Sequence, residues 1–282
     1  MAGVSVVHVD AQVVEGRHAV SDLTKEDFEI LDEGAPRPIE YFGRETEPLH
    51  LVLLLDVSGS MRRLLDQMAA ASKEALSVLR AGDTVAVIAF GRTSVQKLDF
   101  SADKGDAAAA VGAARFEKGV GAGTLLNPAI VEAARYIGEH AGNKPGRRAM
   151  LVFTDNDSVN YQSPDQQALE ALFAADTVLN AIVPPGTRPP DRQRSSFANP
   201  DFSPADIFKL ARESGGEAVE AGKGGATLRE MIERIRTRYS LHYRAPEDAR
   251  PGFRRIEVRL APSSRARLKK AEVRARAGYV VR

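Results

Sequence analysis

A run of five apolar residues at positions 51–55 constrains the fold of this chain more than any other feature of its sequence. A continuous apolar stretch of this length is typical of a strand that is covered on both faces, as in the middle of a parallel sheet. The segments around the run alternate between strand-like and helix-like patterns. The sequence therefore predicts an α/β fold with a doubly wound, mostly parallel sheet over residues 48–238.

The alternation can be followed along the whole of that region. Periodic apolar residues and turn signals predict strands at residues 51–55, 84–90, 95–100 (an edge strand), 149–153, 177–183 and 217–220. Helices are predicted near residues 64–79, 103–116 and 125–140, and over residues 227–238. Two more helices are predicted to begin at Ser-Pro caps, one at Ser163-Pro164 and one at Ser203-Pro204, and the second of these ends at Gly215. A loop rich in Pro, Arg and Ser spans residues 184–203, and its length indicates either a functional or a mobile segment.

Both ends of the chain have the texture of antiparallel strands. Residues 7–13 alternate apolar and polar, and short strands are predicted at 28–31, 39–42, 239–243, 253–260 and 273–281. In the stretch 253–260, Ile256, Val258 and Leu260 should face inward, while Glu257 and Arg259 face water. We expect residues 1–47 plus 239–282 to form a small, sandwich-like antiparallel β domain, into which the domain of residues 48–238 is inserted.

The distribution of charge favours a meeting of the two ends. Residues 1–50 carry 11 acidic and 4 basic side chains, whereas residues 250–282 carry 11 basic and 2 acidic ones. Opposite charges on neighbouring strands attract each other. A nucleic-acid surface is the alternative for the basic end, but no aromatic residues interleave the charges and no recognition motif is present. We therefore predict no nucleic-acid partner.

Composition excludes several other classes of protein. The chain has 43% hydrophobic residues and nearly balanced charge, so it can bury a core. The absence of Cys excludes a disulfide framework, a thiol nucleophile and a Cys-ligated zinc site. No stretch approaches the roughly 18 apolar residues of a membrane span. The first residues lack a basic segment followed by an apolar one, so no signal peptide is visible.

Oxygen-bearing side chains follow two of the predicted strands, and another begins a predicted helix at the same edge of the sheet. Asp56, Ser58 and Ser60 come directly after the central strand, Asp155 ends another strand, and Thr124 follows a Gly-rich turn. In open α/β sheets, ligands bind beyond the carboxyl ends of the strands. Carboxylates and hydroxyls are hard oxygen ligands of the kind that Mg²⁺ accepts. These five residues are therefore candidate metal ligands.

The five positions together resemble a von Willebrand factor A-type domain with a metal-ion-dependent adhesion site (MIDAS). The family's first motif matches Asp56, Ser58 and Ser60, its threonine matches Thr124, and its second aspartate matches Asp155. The resemblance covers about two thirds of the chain. It implies Mg²⁺ as the cation, with Mn²⁺ and Ca²⁺ as alternatives, and a vacant coordination position that an acidic side chain of a partner protein would fill.

The flanking segments are similar to a bacterial family of secreted von Willebrand A-related proteins that is frequent in acidobacteria. The similarity rests on LTKEDFEILDEG in the first strands and on Gly278-Tyr279 near the end. It implies export, and therefore a secreted, periplasmic or cell-surface protein. From the metal site we expect a non-enzymatic, metal-dependent protein-binding (adhesion) module. The sequence departs from many relatives at Asn156, where they have Gly, and this departure bears on the local turn after Asp155.

Three alternatives compete with a metal-dependent binding module. Asp and Ser after a strand are also ordinary N-cap residues. A metal-dependent hydrolase would need a base near the ion, and the five histidines, at positions 8, 18, 50, 140 and 242, have no metal-ligand or catalytic spacing. A structural scaffold would not need the ion. We further expect Asp157 to be a solvated loop acid, and Arg188, Arg192 and Arg194 to belong to a solvated loop.

Overall fold

Strands come first along the chain, because residues 6–44 combine alternating apolar side chains with turn-forming residues. The computed structural model of the protein describes residues 6–16, 18–44, 47–190, 201–222 and 226–281. The first strands are β1 (Val6–Glu15), β2 (His18–Ala19), β3 (Phe28–Asp32), β4 (Ala35–Arg37) and β5 (Tyr41–Arg44). Glu33 and Gly34 both have positive φ, as a tight β3–β4 hairpin requires.

Strands and helices alternate through the middle of the chain. The strands are β6 (Leu49–Asp56), β7 (Thr84–Phe90), β8 (Ser94–Ser101), β9 (Arg147–Phe153), β10 (Val159–Tyr161), β11 (Thr177–Val183), β12 (Phe202–Pro204) and β13 (Ala218–Glu220). The helices are α1 (Arg62–Leu76), α2 (Lys104–Ala114), α3 (Leu126–Ala141), α4 (Asp165–Ala174), α5 (Ile207–Ser214) and α6 (Ala226–Arg236).

Six of these strands form the central sheet, in the order β13-β11-β9-β6-β7-β8. All neighbours in it are parallel except β7 and β8, which pair antiparallel, so β8 is the edge strand that the sequence predicts. One hydrophobic core lies on each face, and the strand β6 contributes alternate side chains to both. The predicted doubly wound fold is confirmed, and the apolar run is buried because helices cover both of its faces.

The last segments return to the first ones. They are β14 (Tyr239–Arg244), β15 (Gly252–Leu260), α7 (Pro262–Arg267), β16 (Ala271–Arg274) and β17 (Gly278–Val281). One antiparallel sheet has the order β16-β1-β14-β5, with β2 on β1, and the other has the order β17-β15-β3-β4. Both sheets enclose one hydrophobic core. The predicted alternation in β15 is confirmed, since Ile256, Val258 and Leu260 are buried between exposed residues.

The opposite charges of the two ends meet as ion pairs. Arg259 lies directly opposite Glu29 in the register of β15 and β3, and their side chains are 2.7 Å apart. Two further pairs join the same ends, Arg267 with Asp27 and Arg254 with Asp32, and Arg244 on β14 pairs with Glu40. Basic residues of 250–282 therefore lie against acidic residues of 1–50, as the charge distribution predicts.

Asp32 is fully buried and links the two antiparallel sheets. Its carboxylate accepts hydrogen bonds from Arg254 at 2.6 and 2.9 Å and from Tyr279 at 2.9 Å, all within the sheet that contains β15. Tyr243, on β14 of the other sheet, donates to the same carboxylate at 3.0 Å. A buried charge needs such partners, because leaving it unpaired in the interior is costly.

The antiparallel sheets contact the amino-terminal edge of the central sheet. Asp176, just before β11, accepts hydrogen bonds from Arg276 at 2.9 Å and lies 2.7 Å from the ring of His8. Buried Arg238 donates to the carbonyl of Gly215, just before β13, at 2.5 Å. The carboxyl ends of the parallel strands lie at the opposite edge, where ligands bind in sheets of this type.

Two predictions about elements were wrong, and one element was missed. Ser203 and Pro204 do not cap a helix but belong to β12, which pairs with β10. The helix α5 begins only after Asp206, whose side chain accepts a hydrogen bond from Lys209 N. The stretch predicted as one strand at 273–281 is interrupted between β16 and β17. The short helix α7 was not predicted. Each of these elements has only three to six residues, too few for a periodic pattern to form.

Candidate metal centre

Asp56 is the last residue of β6 and is fully buried. The chain turns away from the sheet directly after it, and Val57 N still donates to the carbonyl of Phe90 on β7 at 3.0 Å. Ser58 N donates to Oδ1 of Asp56 at 3.0 Å, which closes a tight turn. The hydroxyls of Ser58 and Ser60 lie 3.1 Å apart at the start of α1.

The hydroxyl of Ser58 does not serve as a helix cap. Ser58 stands at the N-cap position of a short 3₁₀ helix, Gly59–Met61, that leads into α1, but its side chain makes no capping hydrogen bond. Met61 precedes α1 and has no capping side chain either. The N-cap alternative for the Ser58 side chain is therefore wrong, and its hydroxyl contacts Ser60 and Asp56 instead.

Asp155 follows β9, the strand next to β6. Thr154 precedes it, is fully buried, and donates from Oγ1 to Oδ2 of Asp56 at 3.1 Å. Asp155 itself is half-buried, and its Oδ1 accepts a hydrogen bond from Asp157 N at 3.1 Å. Because Leu55 pairs with Phe153 in the sheet, the two carboxylates arrive at the same edge from adjacent strands.

Thr124 lies in the turn that precedes α3, and this turn is tied to both neighbouring ones. Leu125 N donates at 2.9 Å to the carbonyl of Gly91, the residue directly after β7. Ser158 Oγ donates to the carbonyl of Thr124 at 2.9 Å, from the segment that follows Asp155. Within the described residues the hydroxyl of Thr124 has no hydrogen-bond partner. The three turns thus converge at one edge of the sheet.

The absence of a side chain at Gly91 allows this close approach. A Cβ atom at this position would lie 2.8 Å from Cγ2 of Val120 and 3.1 Å from the carbonyl oxygens of Gly121 and Gly123. Gly121 and Gly123 both have positive φ, a conformation that favours glycine. The Gly-rich sequence therefore folds the turn of Thr124 against the end of β7.

Asn156, the departure from the family pattern, takes a conformation that suits glycine. Its φ is +60°, and Asn tolerates this left-handed region better than most residues. Its Oδ1 accepts a hydrogen bond from Ile207 N at 2.9 Å, which fixes the turn to the start of α5. The turn after Asp155 is thus held in a left-handed conformation by Asn156.

The electrostatics of the site favour a cation. Burial raises the pKa of Asp56 to about 6, and the nearby charge of Asp155 acts in the same direction, while hydrogen bonds from Ser58 and Thr154 offset only part of the effect. Asp56 has no cationic partner among the described residues. Two carboxylates and three hydroxyls form a hard oxygen set that fits a divalent cation such as Mg²⁺.

The other predicted acids, bases and cations have different roles. In the described part of the chain, no group of three or more His, Asp or Glu side chains is arranged to hold a metal. Asp157 is exposed, as expected of a solvated loop acid. Arg188 is exposed and its carbonyl lies 3.4 Å from Nδ2 of Asn156, whereas Arg192 and Arg194 lie outside the described residues.

Sequence reasoning missed three residues that organise the site. Thr154 orients Asp56, Ser158 holds the turn of Thr124, and Gly91 admits that turn to the end of β7. Thr154 and Ser158 lie close to Asp155 in the sequence, and this proximity was the one sequence signal that could have indicated their role. Nothing in the sequence around Gly91 indicates its contact with residues 120–124.

Known proteins share this fold. Residues 51–158 match the family model of the von Willebrand factor type A domain. An aerotolerance-related membrane protein of Bacteroides fragilis is similar in structure, with a TM-score of 0.50 and 18% identity over 66% of this chain and 98% of that chain. The proximal thread matrix protein 1 of the mussel byssus, solved with zinc in its MIDAS motif, has a TM-score of 0.52 and 14% identity over 72% of this chain and 49% of that chain. Among curated proteins, none matches the chain.

Proposed function

We propose that this chain, whose residues 51–158 match the family model of the von Willebrand factor type A domain, is a non-enzymatic, metal-dependent protein-binding module. The observation that carries the proposal is Asp56: a fully buried carboxylate without a cationic partner among the described residues, next to a second carboxylate. A buried charge of this kind is stabilised when a cation binds to it. The zinc-occupied MIDAS motif of the mussel protein supports a divalent cation in this fold.

Five residues would hold the ion: Asp56, Ser58, Ser60, Thr124 and Asp155. Only two of them are charged, so a bound Mg²⁺ would remain electron-poor and would attract a carboxylate oxygen of a partner protein. The partner in this proposal carries an Asp or Glu at its binding surface. Thr154 and Ser158 contribute by holding Asp56 and the Thr124 turn in place.

The five histidines all lie away from the candidate metal centre. His50 lies at the amino-terminal end of β6, and the site lies at its carboxyl end. His8, His18 and His242 lie in the antiparallel sheets, and His140 lies in the last turn of α3. A hydrolase would need a base within hydrogen-bond reach of its substrate, and none of these histidines is at the carboxyl edge.

Adhesion or interaction outside the cytoplasm is part of the same proposal. The Bacteroides fragilis neighbour is described as a membrane protein, which supports a periplasmic or cell-surface location. None of the helices in the described residues combines the length and apolar composition needed to span a membrane. Fractionation of the cells that produce the protein tests the location, and recovery with the cytoplasmic enzymes would contradict it.

Titration calorimetry with Mg²⁺ and Mn²⁺ tests metal binding. We expect heat of binding for the wild type, a loss of affinity of more than about tenfold in Asp155→Ala, and an unchanged affinity in the control Asp157→Asn. The control removes a negative charge from an exposed side chain that is two residues away from Asp155 in the sequence. No heat of binding in the wild type, together with equal melting temperatures of wild type and Asp155→Ala, would favour the alternative of a scaffold that does not need the ion.

Metal-dependent turnover would contradict the non-enzymatic part of the proposal. Hydrolysis of generic phosphate esters in Mg²⁺ that is lost in Asp56→Ala would establish the hydrolase alternative. Capture of a protein from the native organism that is released by a chelator would support the binding module. A partner that remains bound in the presence of the chelator would indicate that the contacts lie elsewhere.

A further inference from the structure

A groove opens beside the candidate metal centre, and we refer to it as the α1–α2 groove. Its volume is about 540 Å³. One wall is formed by Ser58, Gly59 and Arg62 at the start of α1, and the opposite wall by Arg115, Phe116 and Lys118 directly after α2. Because Ser58 is both a candidate metal ligand and part of this wall, the groove is continuous with the site.

Phe116 gives the groove an apolar surface that is open to solvent. Its side chain is 69% exposed, the highest value among the exposed large hydrophobic residues in the described chain. The guanidinium of Arg115 lies 4.5 Å from the centre of the ring, as in a cation–π contact. This contact holds the ring at the rim of the groove, where it can cover an apolar or aromatic side chain of a partner.

The charges that remain unpaired in the groove are positive. The acids in its walls already have partners: Asp66 pairs with Arg115 at 2.9 Å, and Glu117 pairs with Lys97 at 2.7 Å. Arg62 and Lys118 are exposed and have no ion-pair partner among the described residues. A segment with negative charges would therefore gain attraction on both walls.

We propose that the α1–α2 groove binds an acidic peptide segment of the partner protein, with its carboxylates at Arg62 and Lys118 and an apolar or aromatic side chain on Phe116. This inference rests on the proposed function, since a further carboxylate of the same segment would reach the metal centre beside Ser58. The acids Asp66 and Glu117 also lie in the walls. They disfavour a nucleic-acid backbone, because it carries a negative phosphate at every nucleotide and some phosphates would lie beside these carboxylates.

The test measures binding of fluorescein-labelled peptides to the full chain by fluorescence anisotropy in Mg²⁺. The probes are a glutamate-rich peptide with one phenylalanine, the same peptide with serine in place of phenylalanine, and a glutamine version of the first. We expect the first to bind most tightly and the glutamine version to bind least. Arg62→Glu and Lys118→Glu should each weaken binding of the first peptide by about tenfold.

Arg63→Glu is the matched control. It makes the same change of charge at the adjacent exposed position of α1, outside the groove walls. We expect it to change the affinity by less than about twofold, while Phe116→Ala removes the preference for the phenylalanine peptide. Equal effects of Arg62→Glu and Arg63→Glu would overturn the inference, and so would tighter binding of a single-stranded oligonucleotide than of the acidic peptide.

Calorimetry with Mg²⁺ on the same variants separates this inference from the proposed function. If Mg²⁺ binds and the groove variants leave peptide affinity unchanged, the groove inference fails and the metal proposal stands. If Mg²⁺ does not bind to the wild type, the metal proposal fails. Measuring peptide binding in the presence of a chelator then tests the groove inference by itself. Arg62→Glu must still weaken peptide binding under these conditions, and an unchanged affinity would overturn the groove inference as well.

Discussion

Thr154 donates a hydrogen bond to Oδ2 of Asp56 at 3.1 Å, although the two residues are 98 positions apart in the sequence. Both residues are fully buried. Asp56 is the last residue of β6, and Thr154 directly follows β9, the adjacent strand. The second oxygen of Asp56 accepts from Ser58 N. The orientation of this carboxylate is therefore determined by one contact within its own turn and one from the neighbouring strand.

Replacement of Thr154 tests this relationship. In Thr154→Val the hydroxyl is lost, and Oδ2 of Asp56 loses its hydrogen bond from β9. We expect Mg²⁺ affinity to fall by about 10–100-fold, the range seen when residues that orient metal ligands are removed. Thr154→Ser keeps the hydroxyl and should stay close to the wild type in titration calorimetry. Equal affinity of the Val and Ser variants would show that the hydrogen bond does not orient the carboxylate.

Gly91→Ala should displace the turn that carries Thr124. The added Cβ would lie 2.8 Å from Val120 and 3.1 Å from two carbonyl oxygens, so the turn must shift. We expect a loss of about 1–3 kcal/mol in the free energy of unfolding, as is typical of overpacking, and a weaker affinity for Mg²⁺. Urea unfolding and calorimetry provide the two measurements.

Gly112→Ala is the control for this substitution. Gly112 lies within α2, and a Cβ there meets no atom within 4 Å. Ala is a better helix former than Gly, so this variant should be more stable by about 0.5–1 kcal/mol. Its Mg²⁺ affinity should match that of the wild type. A loss of Mg²⁺ affinity in Gly112→Ala similar to that in Gly91→Ala would contradict a specific role for Gly91.

We propose that residues 1–47 plus 239–282 form one domain and residues 48–238 another, and Asp32→Asn tests this division. The substitution removes the buried charge that Arg254, Tyr243 and Tyr279 contact. Breaking a buried ion pair costs about 3–5 kcal/mol. We expect a lower urea midpoint for the antiparallel core but a Mg²⁺ affinity within about twofold of the wild type, since Asp32 lies in the other domain. A large loss of Mg²⁺ affinity would contradict the division.

His8 should make stability depend on pH near neutrality. Burial by itself lowers the pKa of His8, but the carboxylates of Asp176 and Asp10 outweigh this effect and raise the pKa above its ordinary value. The folded state therefore holds the proton more tightly than the unfolded state. The resulting stabilisation is fully present below about pH 6.5, the ordinary value for His, and is lost as the pH rises through the raised pKa.

The measurement compares urea midpoints of wild type and His8→Gln between about pH 5.5 and about pH 8.5. We expect the advantage of the wild type to shrink toward the alkaline end. Asp176 keeps its charge across this window: its burial raises its pKa, but its contacts with Arg276, His8 and Arg148 outweigh this effect and lower the pKa. Burial and the charge of His8 lower the pKa of His242, which contacts the ring of His8.

A parallel series on His18→Gln provides the control, because His18 is exposed at the end of a short strand. Its midpoints should follow those of the wild type at every pH. If the difference between wild type and His8→Gln stayed constant across the window, or grew with rising pH, the assigned role of His8 would be wrong.

Local patterns in the sequence were sufficient for the long elements. The apolar run in β6 predicts a strand buried on both faces, and the alternation in β15 predicts its inward side chains, because burial repeats with the period of each element. The short elements β12 and α7 lack enough residues for a period, and contacts with distant segments decide them. The same limit explains why the helix α5 begins at Ile207 and not at Ser203.

What the sequence determined by itself is the set of oxygen donors and the edge of the sheet at which they emerge. Asp56 and Asp155 follow parallel strands, so their carboxylates must arrive at the same edge. Only the tertiary structure decided which neighbours hold them: Thr154 on Asp56, Ser158 on Thr124, and Gly91 beneath the Gly-rich turn. These contacts join positions far apart in the chain, and their distances follow from packing rather than from any local periodicity.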